Sequence, residues 1–133
     1  SDVYKRQEEN LVKNITGSFL KFGDQLYRMP EGMPSIRNLK VLRPGLHLGT
    51  LKKNRFEPSH ALALALRPDQ VKHVCSLESD SPQVKAYLNG QTLNMDGEKG
   101  WYLVAVDGYS IGWGKLAGGI LKNHYPKGLR KNG

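Results

Sequence analysis

Trp101-Tyr-Leu-Val-Ala-Val-Asp-Gly-Tyr-Ser-Ile-Gly-Trp-Gly114 is the stretch whose reading decides the fold. Trp101 to Val106 is rich in aromatic and β-branched residues and reads as a strand. Asp107-Gly108 is a two-residue hairpin signal, and Tyr109 to Gly114 returns as the partner strand. Downstream, Gly118-Gly119 breaks the chain again and Ile120 to Tyr125 is a further strand or extended segment.

Upstream, Gly97 to Gly100 is a turn. Ser81-Pro82 opens a helix whose apolar stripe is Val84, Tyr87 and Leu88, and Asn89-Gly90 closes it. Val71 to Leu77 alternates as a short strand, with Val71, His73 and Cys75 on one face. Before it, Glu57-Pro58-Ser59-His60 opens a second helix with Ser59 as N-cap. Its Ala/Leu alternation imitates a strand, but Ala and Leu are strong helix formers and poor strand residues. Pro68 ends or restarts this helix. Leu46 to Lys53 reads as a strand, preceded by a Pro44-Gly45 turn and a short strand at Leu39, Val41 and Leu42. Pro30 to Pro34 is a loop, and Ser18 to Met29 is a hairpin around Gly23-Asp24. Glu8 to Thr16 has Leu11, Val12 and Ile15 at helical spacing and reads as the tail of a helix. The sum is an α+β fold, several short strands making a small closed or half-closed sheet with two short helices.

The chain has 133 residues, of which 38% are hydrophobic and 24% charged, an ordinary globular composition for one domain or two very small ones. Its longest strongly apolar run, Ala61 to Leu66, is far below the ~18 residues of a membrane span. No secretory signal is evident, and the single cysteine, Cys75, cannot close an internal disulfide. A cytoplasmic protein is the expectation.

Twenty basic residues against twelve acidic give a net charge of +8 and a pI near 9.7. An excess of that size fits a polyanionic partner. The charge is also segregated. From Ser35 to Phe56 stand Arg37, Lys40, Arg43, Lys52, Lys53 and Arg55 with no acid. From Trp113 to the end stand Lys115, Lys122, Lys127, Arg130 and Lys131, again with no acid. Between them, residues 57–100 carry six acids and four bases. Such asymmetry favours an oriented binding face over a uniformly charged surface.

Ser1 to Gln7 looks foreign. Asp2 to Gln7 back-translates onto GAT-GTG-TAT-AAG-AGA-CAG, a transposon adapter used in sequencing libraries. On this reading residues 1–7 lie outside the fold, and a gene cut near Glu8 has lost whatever stood upstream.

Catalytic chemistry finds little support. His60, His73, Cys75 and His124 are the candidate soft metal ligands, and neither CxxC nor HExxH occurs. GxxxxGK[ST] and GxGxxG are absent, Gly112-Trp113-Gly114-Lys115 being no more than a glycine-rich turn. Cys75 sits in an apolar strand with no evident activating base. What remains is a binding surface. Lys115, Lys122, Lys127 and Arg130 interleave with Trp113, Asn123, His124 and Tyr125, a mixture able to neutralise phosphates and stack a base on a ring. Arg43, Lys52, Lys53 and Arg55 stand where loop tips are expected. Trp113 and Tyr125 also fit a core.

Three stretches resemble the C-terminal region of the Sun family of RNA cytosine-C5 methyltransferases, particularly the RsmF type acting on ribosomal RNA. They are Leu42-Arg-Pro-Gly-Leu-His-Leu-Gly49, Lys53-Asn-Arg-Phe-Glu-Pro-Ser-His-Ala-Leu-Ala63, and Gly112-Trp-Gly-Lys115 followed by Lys122-Asn-His-Tyr-Pro-Lys-Gly-Leu-Arg130. The resemblance implies a small connecting domain over residues 8–67 and a PUA-like RNA-binding domain over 68–133. It implies a missing catalytic domain upstream that binds S-adenosylmethionine and carries two catalytic cysteines, neither of them Cys75. The C-terminus, just past the family's last motif, reads as complete.

The expectation is therefore an RNA-binding accessory region that docks and orients substrate RNA, itself no enzyme, with ribosomal RNA and the upstream methyltransferase domain as partners. Phosphate contacts fall to Arg43, Lys52, Lys53, Arg55, Lys115, Lys122, Lys127 and Arg130. Base or sugar contacts fall to Trp113, His124 and Tyr125, with Asn123 beside them. Two other classes stay open: a protein-interaction module facing an acidic partner or the catalytic domain, and a small hydrolase built on His60 or His124.

Overall fold

The computed structural model describes residues 33, 45–53 and 55–131 in full, and the backbone of the strand segments 15–16, 19–22 and 25–28. The chain divides into two compact units, residues 1–62 and 63–133.

In the first unit, β1 (Ile15–Thr16), β2 (Phe19–Phe22) and β3 (Gln25–Arg28) form an antiparallel sheet in that order. The pairing of Phe22 with Gln25 and of Phe19 with Arg28 is the hairpin expected around Gly23-Asp24. Ile15 and Thr16 belong to a strand, not to the end of a helix, because they pair with Leu20 and Phe19. The expected strand at Leu39, Val41 and Leu42 lies outside the described residues. β4 (Gly49–Lys52) and β5 (Arg55–Pro58) make a second antiparallel hairpin. Leu48 and Phe56 are buried beside it.

Helix α1 (His60–Ala65) starts at Ser59, whose Oγ accepts the Leu62 backbone N–H at 3.0 Å. This is the N-cap expected from sequence. The Ala/Leu run buries Leu62, Ala63 and Leu66 while Leu64 stays exposed, a helical rather than alternating pattern. A single 3-10 turn (Pro68–Gln70) follows.

The second unit is built on one curled, half-barrel sheet. β6 (Val74–Leu77), β7 (Leu93–Asn94), β8 (Gly100–Val106), β9 (Tyr109–Ala117) and β10 (Ile120–Asn123) lie in the order β6-β8-β9-β10-β7. β6 runs parallel to β8, and every other pairing is antiparallel. Asp107 and Gly108 both have positive φ, 49° and 86°, as a two-residue hairpin turn requires. A bulge follows at once: Ala105 pairs with Ser110, but Val104 pairs with Gly112, so Ile111 is the extra residue. Two strands fell short of expectation. The expected strand over residues 71–77 begins at Val74, and that over 120–125 ends at Asn123.

Helix α2 (Pro82–Leu88) packs Tyr87 onto one face of this sheet. Tyr87 is fully buried and its hydroxyl donates to the Trp113 carbonyl at 2.8 Å. A Cβ on Gly112 would stand 2.3 Å from the Tyr87 oxygen, and one on Gly114 2.6 Å from Leu121. The bare positions of β9 therefore leave room for the Tyr87 hydroxyl and the Leu121 side chain. Cys75, Leu93, Tyr102, Val104, Leu116 and Leu121 complete the core. No helix among the described residues is long and apolar enough to cross a membrane.

Candidate nucleic-acid interface

Strand alternation sends Tyr102, Val104 and Leu116 to the core face of the second unit's sheet, so Trp101, Leu103, Trp113, Lys115, Lys122 and His124 belong to the other. Toward one end that face is closed, with Leu103 and Trp113 at 0% and 2% exposure. Toward the other it opens into a row across three strands. Trp101 on β8 pairs with Lys115 on β9, and Lys115 pairs with Lys122 on β10.

The row is held from beneath by aromatic contacts. Trp101 meets Trp113 edge to face, centroids 6.4 Å apart, and meets His124 at 4.5 Å with the planes at 64°. His124 is positioned by its own backbone, whose N–H donates to the Trp113 carbonyl at 3.1 Å. The Lys115 ammonium sits 5.3 Å from the Trp101 ring centroid, a cation over a π face. Lys115 and Lys122 stand directly opposite each other, a placement in which like charges repel. Among the described residues no carboxylate forms an ion pair with either. Two ammonium groups without an ion pair among the described residues, beside a partly buried ring, can take a phosphate and a flat base together.

Other residues expected at the interface are placed differently. Trp113 is buried and offers no ring face, so the expectation of a base contact there is corrected; its indole is the floor under Trp101. Asn123 is committed inward. Its Nδ2 donates to the Tyr87 carbonyl at 2.8 Å and the Gln91 carbonyl at 3.0 Å, and its Oδ1 accepts the Tyr125 N–H at 2.8 Å. Tyr125 leans on Tyr87, centroids 5.3 Å apart, and belongs to the edge of the core. The Arg130 Nε donates to the Tyr125 carbonyl at 3.0 Å and its Nη2 approaches Asn123 Oδ1 at 3.5 Å. Arg130 thus anchors the C-terminal segment against α2. Lys127 is exposed in a 3-10 turn (Lys127–Leu129).

In the first unit Lys52, Lys53 and Arg55 stand at the end of the β4–β5 hairpin, where loop-tip cations were expected. Lys52 pairs with Glu57 at 3.5 Å, so part of its charge is answered. Arg43 lies outside the described residues.

Trp101 was not singled out by sequence. It reads as one more aromatic in a strand, and only its register opposite Lys115 reveals the row.

The remaining reactive groups lead elsewhere. Burial pushes the Cys75 thiol up from its ordinary value, which disfavours the nucleophilic thiolate. Burial lowers the His60 imidazole. His73 is buried and stacked on Tyr102, centroids 4.8 Å apart. No group of three or more His, Cys, Asp or Glu converges among the described residues. A groove of about 440 Å³ runs between β6, the start of α2 and β7. Its only charged lining residue is Glu78, the wrong sign for a polyanion.

A family model described as the RsmF rRNA methyltransferase first C-terminal domain matches residues 6–66. A second, described as the methyltransferase RsmF PUA domain, matches residues 75–131 and so spans β6 to the last 3-10 turn. The chain belongs to the C-terminal region of the RsmF-type rRNA methyltransferases. Both matched domains are accessory domains of an RNA methyltransferase. The Trp101–Lys115–Lys122 row lies within the matched PUA domain.

Proposed function

We propose that this chain is the RNA-docking region of an rRNA cytosine-C5 methyltransferase, holding substrate RNA so that the target cytosine meets an upstream catalytic domain. On this reading residues 8–67 connect the two, residues 68–133 form the PUA-like RNA-binding domain, and S-adenosylmethionine binds upstream. The observation that carries the reading is the opposed pair Lys115 and Lys122, on one face beside Trp101 and His124, with no ion pair to a carboxylate among the described residues. A sequence does not place like charges across a strand ladder for stability. A phosphate removes the repulsion.

In this role the chain's residues bind and orient. Lys115, Lys122 and Lys127 neutralise phosphates, fixing register without reading sequence. Lys52, Lys53 and Arg55 of the first unit are further phosphate contacts on this reading. His124 and Trp101 supply the ring surfaces. The chemical step belongs to the upstream domain.

The deciding experiment is titration of the chain with a structured ribosomal RNA fragment at increasing salt. Micromolar affinity that falls steeply with salt and exceeds that for duplex DNA of equal charge supports the proposal. Absence of RNA binding would transfer the basic face to a protein partner, such as the catalytic domain.

A further inference from the structure

The geometry points to Trp101 as the stacking platform for one unpaired nucleotide, with Lys115 and Lys122 taking the phosphates that flank it. This rests on the RNA reading above and narrows it to unpaired RNA.

Three observations combine. First, the ring is braced. Trp113 and His124 contact it at steep angles, 78° and 64°, so neither of these rings lies parallel to the indole. A base added to it loses little to reordering. Second, the ring face is one that attracts a cation, since the Lys115 ammonium rests 5.3 Å from its centroid. That ammonium and a stacked base compete for the same space. A phosphate draws the flexible lysine aside and leaves the ring to the base attached to it. Third, the two cations are adjacent. Lys115 and Lys122 are direct partners on neighbouring strands, which lie about 4.8 Å apart. The row runs Trp101, Lys115, Lys122 across three strands, so both ammonium groups stand on one side of the ring, where the phosphates beside a nucleotide resting on Trp101 would meet them.

Paired bases are already stacked on each other and offer no free face, whereas loops and single strands do. A patch acting by charge alone binds duplex and loop alike. Stacking on Trp101 favours the unpaired form.

The test compares two probes with equal numbers of phosphates: an RNA hairpin with a uridine-rich loop, and a blunt RNA duplex whose stem is lengthened to match the hairpin's phosphate count. The native chain binds the hairpin more tightly. Trp101→Ala lowers hairpin affinity about tenfold and duplex affinity by no more than about twofold. Trp101→Phe, which keeps a ring and suits the site if the alanine variant fails to fold, retains most hairpin affinity. Tryptophan emission of the native chain is quenched by oligouridylate, and in Trp101→Phe the quenching disappears, because Trp113 is buried. Equal affinity of the native chain for the two RNAs overturns the stacking proposal and leaves the RNA reading standing. So does a Trp101→Ala loss shared equally between them, or quenching that survives in Trp101→Phe. Binding to neither RNA overturns both.

Discussion

Lys115 and Lys122 face each other across β9 and β10, on the side of the sheet away from the core, with the Trp101 ring under the Lys115 ammonium. Two cations in that register cost the free protein stability, a cost that a bound anion would remove.

Lys122→Glu turns the like pair into an opposite one. Folding stability rises by about 0.5 kcal/mol while RNA affinity falls about tenfold. Urea denaturation and fluorescence anisotropy on the same preparation check this, since opposite signs separate a binding role from a structural one. Combining it with Lys127→Glu lowers affinity further without unfolding; a folded double variant with unchanged affinity removes this surface from the proposal.

Salt dependence counts the phosphates. With Lys115, Lys122 and Lys127 engaged, log K falls against log salt with a slope of about −2 to −3. Participation of Lys52, Lys53 and Arg55 makes the slope steeper. Replacing Lys122 with Gln lowers its magnitude by about 1.

Asn123→Ala removes an amide that bridges the Tyr87 and Gln91 carbonyls and receives the Tyr125 N–H. Stability falls by about 2 kcal/mol. RNA affinity, measured well below the melting point, changes little because the side chain points inward.

Gly112→Ala places a methyl group 2.3 Å from the Tyr87 hydroxyl. Either the Tyr87–Trp113 hydrogen bond breaks or the helix shifts, costing about 3 kcal/mol or more. Thermal melting with and without Tyr87→Phe tests the mechanism: removing the hydroxyl relieves part of the loss.

Burial, reinforced by the neighbouring Tyr125 and Cys75 and opposed by Arg130, raises the Tyr87 phenol well above its ordinary range; burial also raises the Cys75 thiol. Both acids hold their protons more tightly folded than unfolded. Their contribution to stability is complete below the unfolded values, about 8.5 for the thiol and about 10 for the phenol, and declines as pH rises past them. Alkaline titration therefore shows stability falling above about pH 9, with the Tyr87 phenolate absorbing only as the protein unfolds. A Tyr87 signal in the folded protein contradicts the burial argument.

Sequence alone determined the local elements whose signals are short-range. Asp107-Gly108, Ser59 before an Ala/Leu run, and Pro82 with Asn89-Gly90 each specify a turn or helix end through their own backbone chemistry. The excess of cations after Asp107 was equally plain, as charge is additive along the chain. Tertiary structure decided which residues share a face. Counting back from the Asp107-Gly108 turn without a bulge pairs Trp101 with Gly114. The extra residue, Ile111, shifts the pairing by one and brings Lys115 opposite Trp101, while Trp113 pairs with Leu103 on the buried part of that face. A one-residue shift reverses every side chain because the strand period is two. The bulge's position is bound up with Tyr87, a residue of a distant helix that needs the bare backbone of Gly112 beneath its hydroxyl. The parallel pairing of β6 with β8 and the two-residue β7 were hidden for the same reason: a ladder between distant segments leaves no periodic trace in either one.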